Sequence, residues 1–350
     1  MAGGDRERHA RMTWAPGTGD GLAPTPVVRL GMEVAGTPRQ LWLKLEGYNP
    51  YGSVKGRTAL ALWRDAADRV ERGAGLVEST SGNLGLALAA LAAAHRVPFT
   101  AVVDPRTSAA LLYDIRALGA RVVTVRTPDG AGGYLLNRLA RVRALLREQP
   151  GLVWTDQYSN PVNPAAHATG TAPELHWQTR GEPMSVLVAV STGGTLAGFR
   201  RYAAESGAAW ELVRVDAAGS AALGGPAGPR LLSGIGSSRP SAFLPDGHRP
   251  TVYVDPAEAV TVCLWLRATT GIGVGASSGA VVAAALRLFR ADARRVSVAC
   301  LCPDGADRYR DTVYSPLWRR AHGMARSGAL PGVRVLAADG AGPLTEGVRW

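Results

Sequence analysis

Lysine is nearly absent. All but two of the 39 lysine and arginine residues in this 350-residue chain are arginine, the exceptions being Lys44 and Lys55. Cysteine is scarce as well. Cys263, Cys300 and Cys302 are an odd set without a C-x-x-C pair, which argues against a disulfide framework and a zinc site, and no metal is expected. Cys300 and Cys302 flank Leu301 in an apolar run, so strand alternation puts both on one face as small buried hydrophobes. No apolar run is long and clean enough to span a membrane. The opening MAGGDRERHARMTWAPGTGDG is charged and has no apolar core of a secretory signal. Residues 1–20 are expected to be a disordered lead-in, and the protein to be cytoplasmic with no membrane partner. The net charge of +11 could mean nucleic acid, but no basic block is interleaved with aromatics, so none is expected. In LLNRLARVRALLRE (135–148), for example, Leu135, Leu139, Val142 and Leu146 form an apolar face, and Arg138, Arg141, Arg143 and Arg147 fall largely elsewhere. The charge suits anionic small substrates equally well.

What is present is an alternation. Apolar, β-branched runs at 41–46, 75–80, 99–104, 121–125, 152–155, 185–190, 212–216, 251–254 and 295–301 read as strands. Helical patterns at 56–72, 84–95, 108–118, 133–148, 196–206, 257–269 and 279–290 separate most of them. Strands joined by crossover helices imply parallel sheets covered on both faces, and nine strands suggest two sheets. Residues 221–250 are rich in Gly, Pro and Ser and read as a long functional loop. Residues 321–350 are Gly/Ala-rich and are expected to be a poorly ordered tail.

Against the scarcity of lysine, NPYGSVKGR (49–57) is conspicuous. Arginine cannot deprotonate near neutral pH, whereas lysine becomes base and nucleophile once its pKa falls. Lys55 falls in the first turn of a helix starting near Val54, beside the positive dipole end, which favours the free amine. The alternative is a stem packed on apolar surface with its head in water. Three more loops of small residues open helices. STSGNLG (79–85) offers hydroxyls and backbone N–H groups suited to a carboxylate, or a plain N-cap at Ser81 or Asn83. SVLVAVSTGGTLAGF (185–199) can aim the N–H groups of Thr192, Gly193, Gly194 and Thr195 at a phosphate. It lacks the ending of a P-loop, and Asp216, about twenty residues on, leaves a nicotinamide site as an alternative. GVGASSGA (273–280) is the last.

With APTPVVRL (23–30), QYSNPVN (157–163), SGIG (233–236) and PDGADRYRDTVY (303–314) added in order, the sequence resembles the fold-type II pyridoxal-phosphate enzymes, the cysteine synthase family. The resemblance implies a tryptophan synthase β-like α/β fold with two lobes, each a mostly parallel sheet flanked by helices. Residues 21–50 and 166–320 would form the larger cofactor-binding domain and 51–165 a smaller mobile substrate domain, in a homodimer. It makes Lys55 the Schiff-base lysine and later base. Asn83 would hold the phenolic oxygen of pyridoxal 5'-phosphate. Ser191, Thr192, Gly193, Gly194 and Thr195 would cradle its phosphate, and Ser277 would face the ring nitrogen. Ser79, Thr80, Ser81, Gly82, Gln157 and Gly234 would surround an amino-acid substrate. A neutral Ser277 does not force a proton onto the ring, which suits β-elimination and replacement rather than transamination.

Within the family, VVDPRTS (102–108), TPDGAGGYLLNRLARV (127–142), VDAAGS (215–220), GIGSSRP (234–240) and PDGADRY (303–309) are similar to the branch that makes N-(2-amino-2-carboxyethyl)-L-glutamate for 2,3-diaminopropionate, a building block of siderophores and peptide antibiotics. That branch joins O-phospho-L-serine, through an aminoacrylate, to the amine of L-glutamate. Arg138, Tyr158 and Ser191 fall on its substrate positions, and Arg239 is a further carboxylate or phosphate clamp. STGGT and GASSGA are nearer the general family, so a cysteine synthase using O-acetyl- or O-phospho-L-serine and sulfide stays open.

Overall fold

Eleven strands and ten helices follow the buried runs of the chain in a computed structural model that describes residues 22–71, 74–244, 250–324 and 329–339. The expected lead-in at 1–20 lies outside the described residues. The strands are β1 (Val27–Val34), β2 (Thr37–Leu45), β3 (Gly75–Ser79), β4 (Phe99–Val103), β5 (Arg121–Thr124), β6 (Leu152–Trp154), β7 (Met184–Ala189), β8 (Trp210–Ala217), β9 (Thr251–Val254), β10 (Ser297–Cys302) and β11 (Val333–Asp339). The helices are α1 (Lys55–Glu71), α2 (Asn83–Ala94), α3 (Ala109–Ala117), α4 (Leu135–Glu148), α5 (Val162–Ala166), α6 (Ala172–Gln178), α7 (Gly194–Ser206), α8 (Pro256–Thr270), α9 (Ala276–Ala291) and α10 (Pro316–Ala321). A π-helical turn at His167–Thr171 joins α5 to α6.

The strands form two sheets. The larger has the order β11-β1-β2-β10-β7-β8-β9, parallel from β2 through β9, with β1 and β11 added antiparallel at one edge. The smaller, β5-β4-β3-β6, is wholly parallel. Strands β3 and β4 are buried at every position and β10 at all but its first, as parallel strands covered on both faces must be. Helices α8 and α9 pack on the larger sheet around Val260, Leu266, Val281 and Phe289. Helices α1 and α2 pack on the smaller one around Leu62, Trp63, Leu84 and Leu88. A buried ion network ties α1 to the larger lobe. Arg57 pairs with Glu46 at 2.8 Å and Glu174 at 2.6 Å, and Lys44 with Glu174 at 2.7 Å, all four side chains inaccessible.

Nine strands and seven helices lie where the sequence predicts them. Two strands do not come from that reading. In β1 the alternation of VVRLGMEV buries Val28, Leu30, Met32 and Val34. Strand β11 falls inside the expected poorly ordered tail, because Val333 and Val335 pack on the larger core while β1 offers an unpaired edge. The ends of β3, β6, β7 and β10 that point toward one cleft are all carboxyl ends, the side on which open α/β sheets bind ligands. No described helix is long and apolar enough to cross a membrane. Among the described residues no cluster of His, Cys, Asp or Glu could hold a metal ion.

Candidate active site

Lys55 opens α1 and faces a cavity between the two sheets. Its turn is pinned to the end of β10: the Val54 N–H donates to Pro303 O at 2.8 Å, and Ser53 bridges to Asp304. Among the described residues Lys55 has no ion pair. Burial pushes its amine down to about 8, with the Glu78 charge opposing. Desolvation is the cause that lowers it, outweighing the Glu78 charge.

The loop expected to cradle a phosphate, 191–195, follows β7. Gly193 adopts a left-handed conformation (φ +88°) and caps α7 with no side chain; Gly194 N donates to Thr192 Oγ1 at 3.3 Å, and the other first-turn N–H groups are left for a ligand. Ser241 Oγ donates to Thr192 O at 2.6 Å and holds the loop from behind. Ser191 Oγ donates to Gly236 O at 3.1 Å. Ser191, Thr192, Gly193 and Thr195 line the same cavity as Lys55. Gly194 contributes backbone as the first residue of α7.

Across the cleft, the 79–83 loop ends β3. Thr80 Oγ1, rather than Ser81 or Asn83, caps α2 by accepting from Gly82 N at 3.0 Å and Gly85 N at 2.9 Å. Ser81 is thereby left exposed toward the cavity. Gln157 Nε2 donates to Ser79 O at 2.7 Å, so Gln157 sets the loop's shape as well as lining the cavity. Ser79 and Gly82 shape the loop without lining it. Beneath them lies Glu78, which the sequence reading missed. It accepts from Ser79 N at 2.8 Å, Thr155 Oγ1 at 2.5 Å and Gln157 N at 3.2 Å. Burial raises its carboxyl to about 7.

At the far wall Ser277, in the first turn of α9, is buried and its Oγ has no hydrogen-bond partner. Gly234 lies against it; a Cβ there would sit 3.4 Å from Ser277 Oγ. Asn83 Nδ2 donates to Asp304 Oδ2 at 2.8 Å, and Arg308 donates to Asn83 Oδ1. Asp304 also accepts from Tyr309 Oη at 2.8 Å, while its Oδ1 is unpartnered; burial raises its pKa. Asp304, Arg308 and Tyr309 lie in the noted motif PDGADRY, but nothing in the sequence shows that they orient Asn83. An orphaned neutral hydroxyl, a left-handed glycine turn with first-turn N–H groups to spare and an unpaired low-pKa amine around one cavity fit pyridoxal phosphate: Ser277 would face its ring nitrogen, 191–195 would hold its phosphate, Lys55 its aldehyde and Asn83 its ring oxygen.

Ser81, Tyr158, Ser191 and Gly234 also line an outer cavity, so the two spaces share a wall. Arg138 reaches into it from α4. The expected solvated basic face holds for Arg143 and Arg147, which are exposed, but not for Arg138, which is only 5% exposed. Its Nη1 lies 3.4 Å from Asp104, yet Nε and Nη1 make no hydrogen bond. A buried guanidinium with idle donors calls for an acceptor. Arg239 lines neither cavity and instead sits over the Tyr158 ring, 5.4 Å from its centroid. Arg106 and Arg230 line the outer cavity and were missed.

A family model described as pyridoxal-phosphate dependent enzyme matches residues 19–304. The N-(2-amino-2-carboxyethyl)-L-glutamate synthase of Ralstonia nicotianae is 38% identical over 313 residues, covering 88% of this chain and 92% of that protein. That of Cupriavidus metallidurans is 39% identical over 326 residues, covering 91% and 94%. The O-acetylserine dependent cystathionine beta-synthase from Helicobacter pylori superposes with a TM-score of 0.76 at 29% identity, over 87% of this chain and all of that one. An O-ureido-L-serine synthase gives 0.74 at 30%, over 83% and 91%. The nicotinamide alternative falls with the family match: Asp216 is fully buried, accepts from Ala217 N at 2.8 Å and lines neither cavity. The chain belongs to the fold-type II pyridoxal-phosphate-dependent enzymes, as a β-replacement enzyme of the cysteine synthase family.

Proposed function

We propose that the protein joins the amine of L-glutamate to the β-carbon of O-phospho-L-serine, releasing phosphate and giving N-(2-amino-2-carboxyethyl)-L-glutamate for 2,3-diaminopropionate biosynthesis. The carrying observation is Arg138: a buried guanidinium with idle donors, lining a cavity that shares Ser81, Tyr158, Ser191 and Gly234 with the Lys55 cavity. Sulfide needs no such group, whereas a dicarboxylic amino acid does. The identity to the two glutamate-adduct synthases supports the same reading.

Pyridoxal phosphate, when bound, supplies the electron sink that lets an α-proton and a β-substituent leave. The residues do the rest. Ser81, Thr80 and Gln157 bind the serine carboxylate. Lys55, with an amine lowered to about 8, holds the cofactor and, once released, takes the α-proton as a base matched to neutral pH. The Cβ–O bond breaks and phosphate leaves with its electron pair; the glutamate nitrogen forms the new Cβ–N bond and gives up a proton, and Lys55 returns the α-proton to Cα. Arg138 and Tyr158 orient the glutamate carboxylates. Closure of the smaller lobe (51–165) would exclude water from the site. A cytoplasmic homodimer completes the reading, and sedimentation of the holoenzyme tests the dimer.

The deciding experiment offers O-phospho-L-serine, L-glutamate and sulfide together and identifies products by mass. The glutamate adduct is expected to dominate. Cysteine as the main product would overturn the proposal in favour of a cysteine synthase. Arg138→Met should raise the KM for glutamate about tenfold or more through loss of a charged hydrogen bond, with any turnover of sulfide little changed.

A further inference from the structure

Beneath the phosphate loop lies a buried polar platform to which the chemistry above gives no role. Asn163 and His167 project from α5 and the π-helical turn, and both are wholly inaccessible. Asn163 sits directly under the loop: a Cβ on Gly194 would lie 2.3 Å from its Oδ1. His167 lies between Thr58 of α1 and Thr195 of the loop, with Nε2 3.1 Å from Thr58 Oγ1 and 3.3 Å from Thr195 Oγ1. Its Nδ1 is 2.9 Å from Thr171 Oγ1. π-Helical turns recur at functional sites, and this one carries His167.

The hydrogens in this network can be assigned from one end. Asn163 Nδ2 lies 2.7 Å from Gln157 O. A carbonyl only accepts, so the amide nitrogen faces it and Oδ1 faces the other way. The second Nδ2 hydrogen points to Thr192 Oγ1 at 3.4 Å. Thr58 Oγ1 is 3.3 Å from Asn163 Oδ1 and must donate to it. Its single hydrogen is then spent, so toward His167 it can only accept, and Nε2 carries the proton. Nδ1 is the bare nitrogen and accepts from Thr171. Burial holds the ring neutral, with its pKa lowered to about 3, so this arrangement does not titrate near neutral pH. Thr192 accepts from Asn163 and, at 3.3 Å, from Gly194 N; the single Nε2 hydrogen is shared between Thr58 and Thr195, and a protonated Nε2 has no lone pair into which Thr195 could donate. Each threonine of the loop keeps its own hydroxyl hydrogen.

We propose that Asn163 and His167 are positioning residues that turn both threonine hydroxyls of the 191–195 loop into donors toward the cofactor phosphate. Neither touches the cofactor; each acts by accounting for the other hydrogens of its threonine. A dianion takes only donors, so a cradle whose hydroxyls were spent on the protein would lose two of its contacts. The proposal rests on the family's cofactor alone and stands whichever nucleophile the enzyme uses.

The test compares pyridoxal phosphate with pyridoxal, which lacks the phosphate. Both are titrated into the apoprotein, and binding is read from the imine absorbance, with circular dichroism as a folding check. Asn163→Asp keeps the shape but replaces a donor by a charged acceptor, so Thr192 must donate back to it. The expected result is a dissociation constant for pyridoxal phosphate raised about tenfold or more, with pyridoxal changed less than about twofold. Equal weakening of both, or no weakening of pyridoxal phosphate, overturns the proposal. Should that variant fail to fold, His167→Gln and His167→Phe replace it. The glutamine amide can supply the Nε2 donor and should stay within about threefold of the parent, while phenylalanine should lose about tenfold for pyridoxal phosphate only. Equal affinities of these two for pyridoxal phosphate would overturn it.

Discussion

The two lysines of this chain occupy opposite kinds of burial. Lys44, near the end of β2, sits in a closed set of partners: Glu174 Oε2 at 2.7 Å, Gln178 Oε1 at 2.8 Å and Thr25 O at 2.9 Å. Lys55, at the first turn of α1, has the field of Glu78 and no ion pair among the described residues. Desolvation lowers both amines. For Lys44 it is opposed by Glu46 and Glu174, which favour the ammonium and leave all three of its hydrogens bonded. For Lys55 no described residue completes the shell. Burial alone does not make a lysine reactive; burial without partners, beside a cavity, does.

The sharpest way to break this comparison is to remove each amine in turn. Lys55→Ala should abolish the imine absorbance of the bound cofactor and lower turnover by about three orders of magnitude or more, since nucleophile and base are lost together. Its circular dichroism should match the parent. An intact imine band would move the reactive amine elsewhere, and Lys44 is the only other candidate side chain.

Lys44→Met should do the reverse. It strands Glu174 opposite Arg57 with one cation fewer, and breaking a buried pair from one side costs about 3 kcal/mol or more. Urea unfolding of the apoprotein should show that loss, and the folded fraction should still form the imine at full intensity. A stable Lys44→Met variant lacking the imine would mean that Lys44 shares the chemistry, and the contrast between the two lysines would fail.

The same contrast shows what the sequence could carry. The rarity of lysine singles out Lys55 but equally Lys44, and only the cavity separates them. The parallel strands and the four glycine-rich loops were legible because both are local: apolar runs bounded by turns, and small residues opening helices. Partners were not. Glu78 and Asp304 look like ordinary acids near strand ends; Glu78 is enclosed by the end of β6, and Asp304 by the starts of α2 and α9, all distant in sequence. Arg138 looked solvated because of its charge, but at three residues from Leu135 and four from Val142 it shares their face of α4. Asn163 and His167 are four apart in a stretch broken by Pro161, Pro164 and Pro173, where proline masked the helical pattern. Strand β1 alternates clearly, yet its first half overlaps a motif noted for other reasons, and β11 is too exposed and alanine-rich to declare itself.

The smallest effect tests what sets the Lys55 amine. In the apoprotein its pKa is lowered to about 8 from 10.5. Between those values the unfolded chain holds a proton that the folded protein has released, so this group's contribution to stability grows as pH rises through that window. Cofactor uptake needs the free amine, so its rate should rise about tenfold per pH unit below the folded pKa and level off above it. Glu78, raised to about 7, is mostly ionised where Lys55 titrates, and its charge favours the ammonium. Glu78→Gln should therefore move the midpoint of uptake to lower pH, and the same substitution should leave the Lys44 network untouched, since Glu78 lies outside it. Rapid-mixing absorbance across the pH range reads the midpoint directly. An upward shift would mean that the loss of the Ser79 and Gln157 contacts opens the cleft to water and relieves desolvation by more than the missing charge removes. Burial would then be set by the 79–83 loop, and the distinction between the two lysines would rest on how firmly that loop is held.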